Sequence, residues 1–408
     1  MEKASGPGVD AQCDIRLELE RKRETIMVQQ DHRQERDSTR RSARRQFLGA
    51  AGLVTAGGAL GLEAIAATPS APSESNDRAK SPPRGADAGT GEIPERPLGR
   101  TGVKVSALGM GGHHLGGCKT VEEAIQLVHE AVDAGITFYD NCWEYWNGRA
   151  EDWLGRGLKG RRDKVFLMTK VCTHGRGADL AMKMLDESLR RLQTDYLDLW
   201  QIHGVGFDNE PELAYAKGGV LEALDEAKKL GKVRFVGFTG HKDPSIHLDM
   251  IRRGYPFDTV QMPLNCLDAT FRSFEKHVLP ELNKRGIAAL GMKSMGGSAP
   301  AVKSGLVKAE EMLRYAMSLP VATTIAGMDS SDVLHQNLRI ARGFKPMTAE
   351  EMQALRDRCA KAAGDGRYEV YKLSLRFDNP QARLPHGFPL DITQKEVREM
   401  LFEEAGGP

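Results

Sequence analysis

The sequence predicts a closed (β/α)8 TIM barrel, with a hairpin ahead of it and a helical extension behind it. Three observations carry that prediction. Short apolar runs alternate with amphipathic stretches eight times between Val105 and Ala341. The apolar runs are uninterrupted, as strands covered on both faces must be. The stretches between them place apolar residues at i, i+3, i+4 and i+7, the spacing of a helix with one buried face. Eight such units in about 240 residues suit one barrel, which typically takes ~250. An open doubly wound sheet is the alternative. Its glycine-rich dinucleotide turn is not matched by Gly109-Met110-Gly111-Gly112.

Composition narrows the classes before any motif does. Of 408 residues, 40% are hydrophobic and 28% charged, which excludes a collagen, a wholly disordered chain and a polytopic membrane protein. Lys and Arg number 57 against 56 Asp and Glu, so no basic excess points to nucleic acid. The six cysteines contain no CxxC, and no HExxH occurs, so no metal set is read from spacing.

Residues 1–67 read as a twin-arginine export signal region. Arg44-Arg45-Gln46-Phe47-Leu48 precedes a Gly/Ala-rich apolar run, and Ala64-Ile65-Ala66 offers a small-x-small cleavage site. A membrane anchor is the alternative, but the uncharged run Gln46–Leu62 is short and glycine-rich for a span. The expected location is the periplasm, with the export machinery as partner and the membrane met only in transit. Residues 68–95 are rich in Pro, Ser, Gly and charge and read as a disordered linker.

The barrel is expected over 96–345. Its strand–helix pairs, in order, begin VSALGMG with VEEAIQLVHEAVDAG, ITFYD with EDWLGRGLKG, VFLMTK with LAMKMLDESLRRL, and YLDLWQIH with GVLEALDEAKKLGK. They continue VRFVGFTG with PSIHLDMIRRG, TVQMP with FRSFEKHVLPELNKRG, IAALGMK with AEEMLRYAMSL, and VATTIAG with DVLHQNLRIA. Gly135, Gly231, Gly254 and Gly286 each close a helical run. The extension, 346–408, holds the amphipathic AEEMQALRDRCAKAA, a polar Pro-containing stretch and a final helical run, QKEVREMLFEE.

Barrel enzymes carry their chemistry at the C-terminal strand ends. Those ends here supply Asp140, Lys170, His203, Thr239–His241, Met262–Asn265, Lys293 and Gly327. Singly, Asp140 reads as a cap, Lys170 as its ion-pair partner and His203 as a core histidine. Together, with Tyr145 in the loop after the second strand, they point to carbonyl chemistry. Reducing a carbonyl needs a hydride at carbon and a proton at oxygen. A phenol of pKa ~10 is a reluctant acid near neutrality. A nearby ammonium is expected to lower that value, and a carboxylate to hold the ammonium in place.

At these residues the chain resembles the aldo-keto reductase family. Arg96-Pro97-Leu98-Gly99-Arg100-Thr101-Gly102 resembles its opening hairpin, and FYDNCWEY, ending at Tyr145, its Asp-to-Tyr motif. FLMTK, ending at Lys170, resembles its lysine strand, and LDESLRRLQTDYLDLWQIH, ending at His203, its most recognisable stretch. The resemblance runs from Arg96 to about Ala341. It implies a catalytic tetrad of Asp140, Tyr145, Lys170 and His203, with NADP(H) or NAD(H) as cofactor and a small carbonyl compound or sugar as substrate. Implied cofactor contacts are Gly112, Asp140, Thr239, Gln261, Met292, Lys293, Met295, Gly327, Asp329, Gln336 and Asn337.

Several positions depart from the family pattern. Gly240 stands where Asn is usual, Met292 where an aromatic stacks on the nicotinamide, and Asp329 where NADP-specific members carry a basic residue. Asp329 would repel a 2′-phosphate or accept from a free ribose hydroxyl; alternatively it caps the next helix. Lys293 meets the pyrophosphate or lies solvated on the rim. Two additional residues separate Tyr145 from Glu151, in an aromatic cluster with Trp143 and Trp146. Cys142 reads as a packing residue. Two further function classes compete with an oxidoreductase: a nicotinamide-binding regulatory subunit with little turnover, and another barrel enzyme such as an isomerase.

Overall fold

The computed structural model describes residues 91–171 and 176–373. The export-signal region, most of the expected linker and the final helical run lie outside the described residues. Gly91–Glu95, assigned above to the linker, are part of the fold. Ile93 is buried, Pro94 O accepts from Ala107 N at 2.7 Å, and Glu95 opens the first strand.

Strands β1 (Glu95–Pro97) and β2 (Lys104–Ser106) form an antiparallel hairpin. The run VSALGMG is therefore two strands, not one. The chain leaves the hairpin after Ser106 and enters the barrel at β3 (Leu108–Gly111). Ser106 makes the corner, its Oγ donating to Leu108 O and its N to Thr137 Oγ1. The hairpin turn places Leu98 and Val105 against Phe138, Phe166, Met168, Leu199 and Leu290, all buried. Arg96 donates to Met317 O and Val321 O, and Arg100 to Phe257 O, so the hairpin closes the end where strands begin.

The barrel strands are β3, β4 (Phe138–Asp140), β5 (Phe166–Val171), β6 (Leu197–Ile202), β7 (Val233–Thr239), β8 (Thr259–Pro263), β9 (Ala288–Met292) and β10 (Thr323–Gly327). All pair in parallel, and β10 returns to β3 to close the ring. Every residue of β4, β5, β6 and β8 is buried. Their near-continuous apolar runs follow from that double covering.

Among the described residues the helices expected from periodicity are present. Val121–Asp133 shows why: Thr120 accepts from Glu123 N at its start, and Ala124, Leu127, Val128 and Ala131 line its buried face. Gly135, Gly231, Gly254 and Gly286, the expected helix stops, all take positive φ, where a Cβ is strained. The run FRSFEKHVLPELNKRG divides into Phe274–His277 and Leu279–Arg285. In the extension, Ala349–Ala363 is a helix with a capping box at Thr348 and Glu351. Among the described residues no helix is long and apolar enough to cross a membrane.

Candidate active site

Asp140, Thr239, Met292 and Gly327 are each the last residue of a barrel strand, and His203 follows the last residue of β6. Parallel register sets them side by side: Gly111 pairs with Asp140, Thr239 with Gln261, and Gly327 with Gly111. Lys170 lies inside β5, buried, and reaches up to the rim.

The four expected catalytic residues come together. Lys170 Nζ forms an ion pair with Asp140 Oδ1 and donates to Asn141 O at 2.7 Å. Its Nζ is 3.5 Å from Tyr145 Oη. The Tyr145 and His203 rings meet edge to face, centroids 5.7 Å apart. His203 is held from two sides: Arg176 Nη2 donates to its carbonyl at 2.7 Å, and its Nδ1 lies 2.5 Å from Glu144 Oε1. With that carboxylate ionised, Nδ1 carries the hydrogen and donates it.

One electrostatic expectation is corrected. Tyr145 is not brought toward neutrality; its phenol is pushed well above its ordinary value, first by burial, then by Asp140, Cys142 and Glu144. The Lys170 ammonium, paired with Asp140, does not outweigh them. Tyr145 thus keeps its proton at neutral pH. Burial lowers His203, with Glu144 pulling the other way.

The residues between Tyr145 and Glu151 fold into a left-handed turn. Trp146, Asn147 and Gly148 take φ of 54°, 54° and 87°. Two consecutive non-glycine residues in this region are unusual and strained. The turn is pinned by Trp146 Nε1 donating to His113 O at 2.8 Å and by Arg149 stacking on Trp146 and Trp153. His113 packs edge-on against Tyr145, centroids 5.2 Å apart.

The expected cofactor positions divide. Gly112 is required by space: a Cβ there would lie 2.5 Å from Asp140 O. Gln261 is buried, its Oε1 has no hydrogen-bond partner, and its Nε2 faces Met292 Sδ at 3.7 Å. Thr239 is buried and its Oγ1 accepts from Gly204 N. Gly240 has no room for the family's Asn, since a Cβ would meet Val205 O at 2.3 Å and His247 Cε1 at 2.5 Å. Lys293 takes φ of 55°, is half-buried, and lies over the Tyr371 ring at 5.7 Å, not out on a solvated rim. Met295 is half-buried against the core. Asp329 is exposed and is not the cap of the next helix; Ser330 is, accepting from Val333 N. Gln336 and Asn337 lie on that helix, Asn337 buried.

Sequence reasoning missed His113, Glu144, Arg176 and the strap Glu369–Lys372. The strap reaches the mouth from the extension. Lys372 is fully buried and pairs with Asp268 at 2.6 Å and Glu369 at 2.7 Å. Asn265 Nδ2 donates to Glu369 Oε1 and Tyr371 Oη, while His241 Nδ1 lies 3.3 Å from Tyr371 O. A signal existed for His113 and Glu144, since both lie within a few residues after the end of a barrel strand. None existed for the strap, whose partners are about a hundred residues away.

The comparisons agree with this geometry. The model of the Aldo/keto reductase family matches residues 107–304. L-galactose dehydrogenase of Arabidopsis thaliana is 36% identical over 159 residues, 36% of this chain and 49% of that protein. Aldo-keto reductase YhdN of Bacillus subtilis is 30% identical over 204 residues, 47% and 58% of the two chains. The chain thus spans about half the length of these two curated relatives. The 6-dehydroglucose reductase of Novosphingobium aromaticivorans is 29% identical over 249 residues, 57% of this chain and 79% of that one. The solved holo form of aldo-keto reductase AKR11C1 from Bacillus halodurans matches with a TM-score of 0.58 at 25% identity, covering 68% of this chain and all of that one. An aldo/keto reductase from Klebsiella pneumoniae, solved with NADP and acetate, shares the fold at a TM-score of 0.55 and 22% identity, over 65% and 95% of the two chains. The family model thus covers strands β3 to β9 of the barrel, and the proteins this chain resembles here are reductases and dehydrogenases.

Proposed function

We propose that this chain is an NAD(P)H-dependent oxidoreductase that reduces an aldehyde, ketone or sugar carbonyl, or runs the reverse oxidation, with Tyr145 as general acid. One observation carries the reading: a phenol 3.5 Å from a lysine paired to a buried aspartate, beside a histidine at the barrel mouth. The family relatives named as reductases and dehydrogenases support it.

The residues present suit a nicotinamide cofactor. Gln261 Oε1 is a buried acceptor in want of a donor, and a carboxamide has one. Thr239 and Gln261 would hold that amide, Met292 would pack on the ring, and Gly327, Gln336 and Asn337 would meet the adenosine half. When bound, the cofactor supplies a hydride to the carbonyl carbon. The chain's own work is at the oxygen. Tyr145 donates its proton as negative charge develops there, and Lys170 stabilises the phenolate left behind. Asp140 fixes the ammonium. His203 borders the oxygen; burial favours its neutral form, so with Nδ1–H donated to Glu144 its Nε2 presents a lone pair to the site.

The test is the loss of reduced-nicotinamide absorbance when NADPH or NADH meets the protein and an aromatic aldehyde, alongside Tyr145→Phe. Turnover that the substitution abolishes is the expected outcome. Nucleotide binding with no turnover on any carbonyl would favour the regulatory reading. A periplasmic location is proposed with it, on the motif at Arg44-Arg45. An exported chain would need its nucleotide tightly held and recycled between two substrates. Protein recovered from a periplasmic fraction should then contain nucleotide; nucleotide-free protein there would end that idea.

A further inference from the structure

Three groups at the mouth go beyond the tetrad's needs. Cys142 Sγ, Glu144 Oε1 and His203 Nδ1 all lie within 4.8 Å of one another. The separations are 3.1 Å for Sγ to Nδ1, 2.5 Å for Nδ1 to Oε1 and 3.9 Å for Sγ to Oε1. The thiol and the carboxylate therefore converge on one ring nitrogen. That is not how a nucleophile–base–carboxylate relay is built, since a relay uses opposite nitrogens of the imidazole.

We propose that Cys142, Glu144 and His203 form a binding site for a thiophilic divalent cation of the zinc class. Sulfur, imidazole nitrogen and carboxylate oxygen are the three ligand types zinc takes, at ~2.3, ~2.0–2.1 and ~2.0–2.2 Å. An ion at those distances fits the triangle if the carboxylate swings outward by less than ~1 Å. Charge favours it as well. A thiolate and a carboxylate neutralise a dication, and the nearby cations Lys170 and Arg176 are already paired with Asp140 and Glu210. Cys142 is fully buried, whereas the Glu144 and His203 side chains are 28% and 15% exposed, which leaves the ion a route from the mouth. Three protein ligands leave a fourth position for water or a substrate oxygen.

The site shares His203 with the proposed reductase but does not depend on it. An ion on Nδ1 displaces the hydrogen now donated to Glu144 and leaves the hydrogen of neutral imidazole on Nε2. Binding would convert His203 into a fixed Nε2–H donor and release the thiol proton of Cys142.

Cobalt tests the site without any assay of turnover. The full chain, purified with chelator and then freed of it, is titrated with Co2+ and followed by absorption. The expected result is a sulfur-to-cobalt charge-transfer band that saturates at one ion per chain and is abolished by Zn2+. Cys142→Ser should lose the band and weaken Zn2+ binding by at least ~100-fold, and Glu144→Gln should weaken it while keeping the band. No band in the wild-type protein at saturating Co2+ would overturn the proposal, leaving a hydrogen-bonded cluster. A band that survives in Cys142→Ser would also overturn it, by assigning the thiolate elsewhere. Circular dichroism of each variant separates lost ligation from lost fold.

Discussion

Among the described residues two lysines are buried almost completely, one in the barrel and one in the extension, and each is paired with acid. Lys170 meets Asp140 at the end of β4, with a phenol 3.5 Å away and an aromatic-lined mouth above. Lys372 meets Asp268 and Glu369 and donates to Phe271 O, so its three hydrogens all have acceptors. Asp268 in turn accepts from Ser273, Phe274 and Glu275. The second group is saturated and joins the extension to the barrel. The first leaves one direction of the ammonium turned to a group that can give up a proton. A buried ion pair is thus no sign of chemistry by itself; what lies within reach of it decides.

Substitution of either lysine would break that comparison in opposite ways. Lys170→Met should lower kcat per folded molecule by roughly 10²–10⁴, because the phenolate left when Tyr145 gives up its proton loses the ammonium that stabilises it. Lys372→Met should leave kcat per folded molecule within about tenfold yet cost about 3–5 kcal/mol of stability, since two carboxylates stay buried and uncompensated. Urea unfolding followed by tryptophan fluorescence, with initial rates on the folded fraction, reads both. A Lys372→Met protein as stable as wild type would make the strap incidental.

A smaller effect concerns acid. His247 is fully buried between Phe238 and Phe274, and burial holds its pKa down at about 4. The unfolded chain takes that proton near pH ~6.5. Between those values the unfolded state binds more protons, so stability falls as pH falls from ~6.5 toward ~4. Between pH ~7.5 and ~5 this one ring contributes about 2 kcal/mol. Urea midpoints at pH ~7.5 and ~5 should differ accordingly, and His247→Leu should reduce the difference. An unchanged difference in that variant would move the acid sensitivity to other groups, such as His241, whose burial also holds it down, at about 3.

The smallest expected effect is at the cofactor's ribose. Asp329 is exposed just past β10. Asp329→Arg should raise the NADPH-to-NADH ratio of kcat/KM by about tenfold, roughly 1.4 kcal/mol. An unchanged ratio would show that Asp329 does not face the 2′ position.

What the sequence made legible was local. The eight strand–helix units, the helix-stopping glycines and the residues at strand ends depend on short-range pattern, and they stand where periodicity put them. The hairpin break after Ser106 was hidden because β2 and β3 read as one apolar run. The strap was hidden because Lys372, Glu369 and Asp268 are ordinary charged residues until the fold brings them together. Gly240 was visible as a departure, but only the closeness of Val205 and His247 explains it. The direction of the Tyr145 shift was misread because a nearby lysine was weighed without the burial and carboxylates that outweigh it.

The account rests most directly on Tyr145 as the proton donor. The decisive measurement is kcat for aldehyde reduction by Tyr145→Phe, with nucleotide affinity measured on the same protein by fluorescence. The account predicts a fall of at least ~10² in kcat with nucleotide affinity unchanged. A kcat within a few-fold of wild type would contradict it and place the proton donor elsewhere in the mouth.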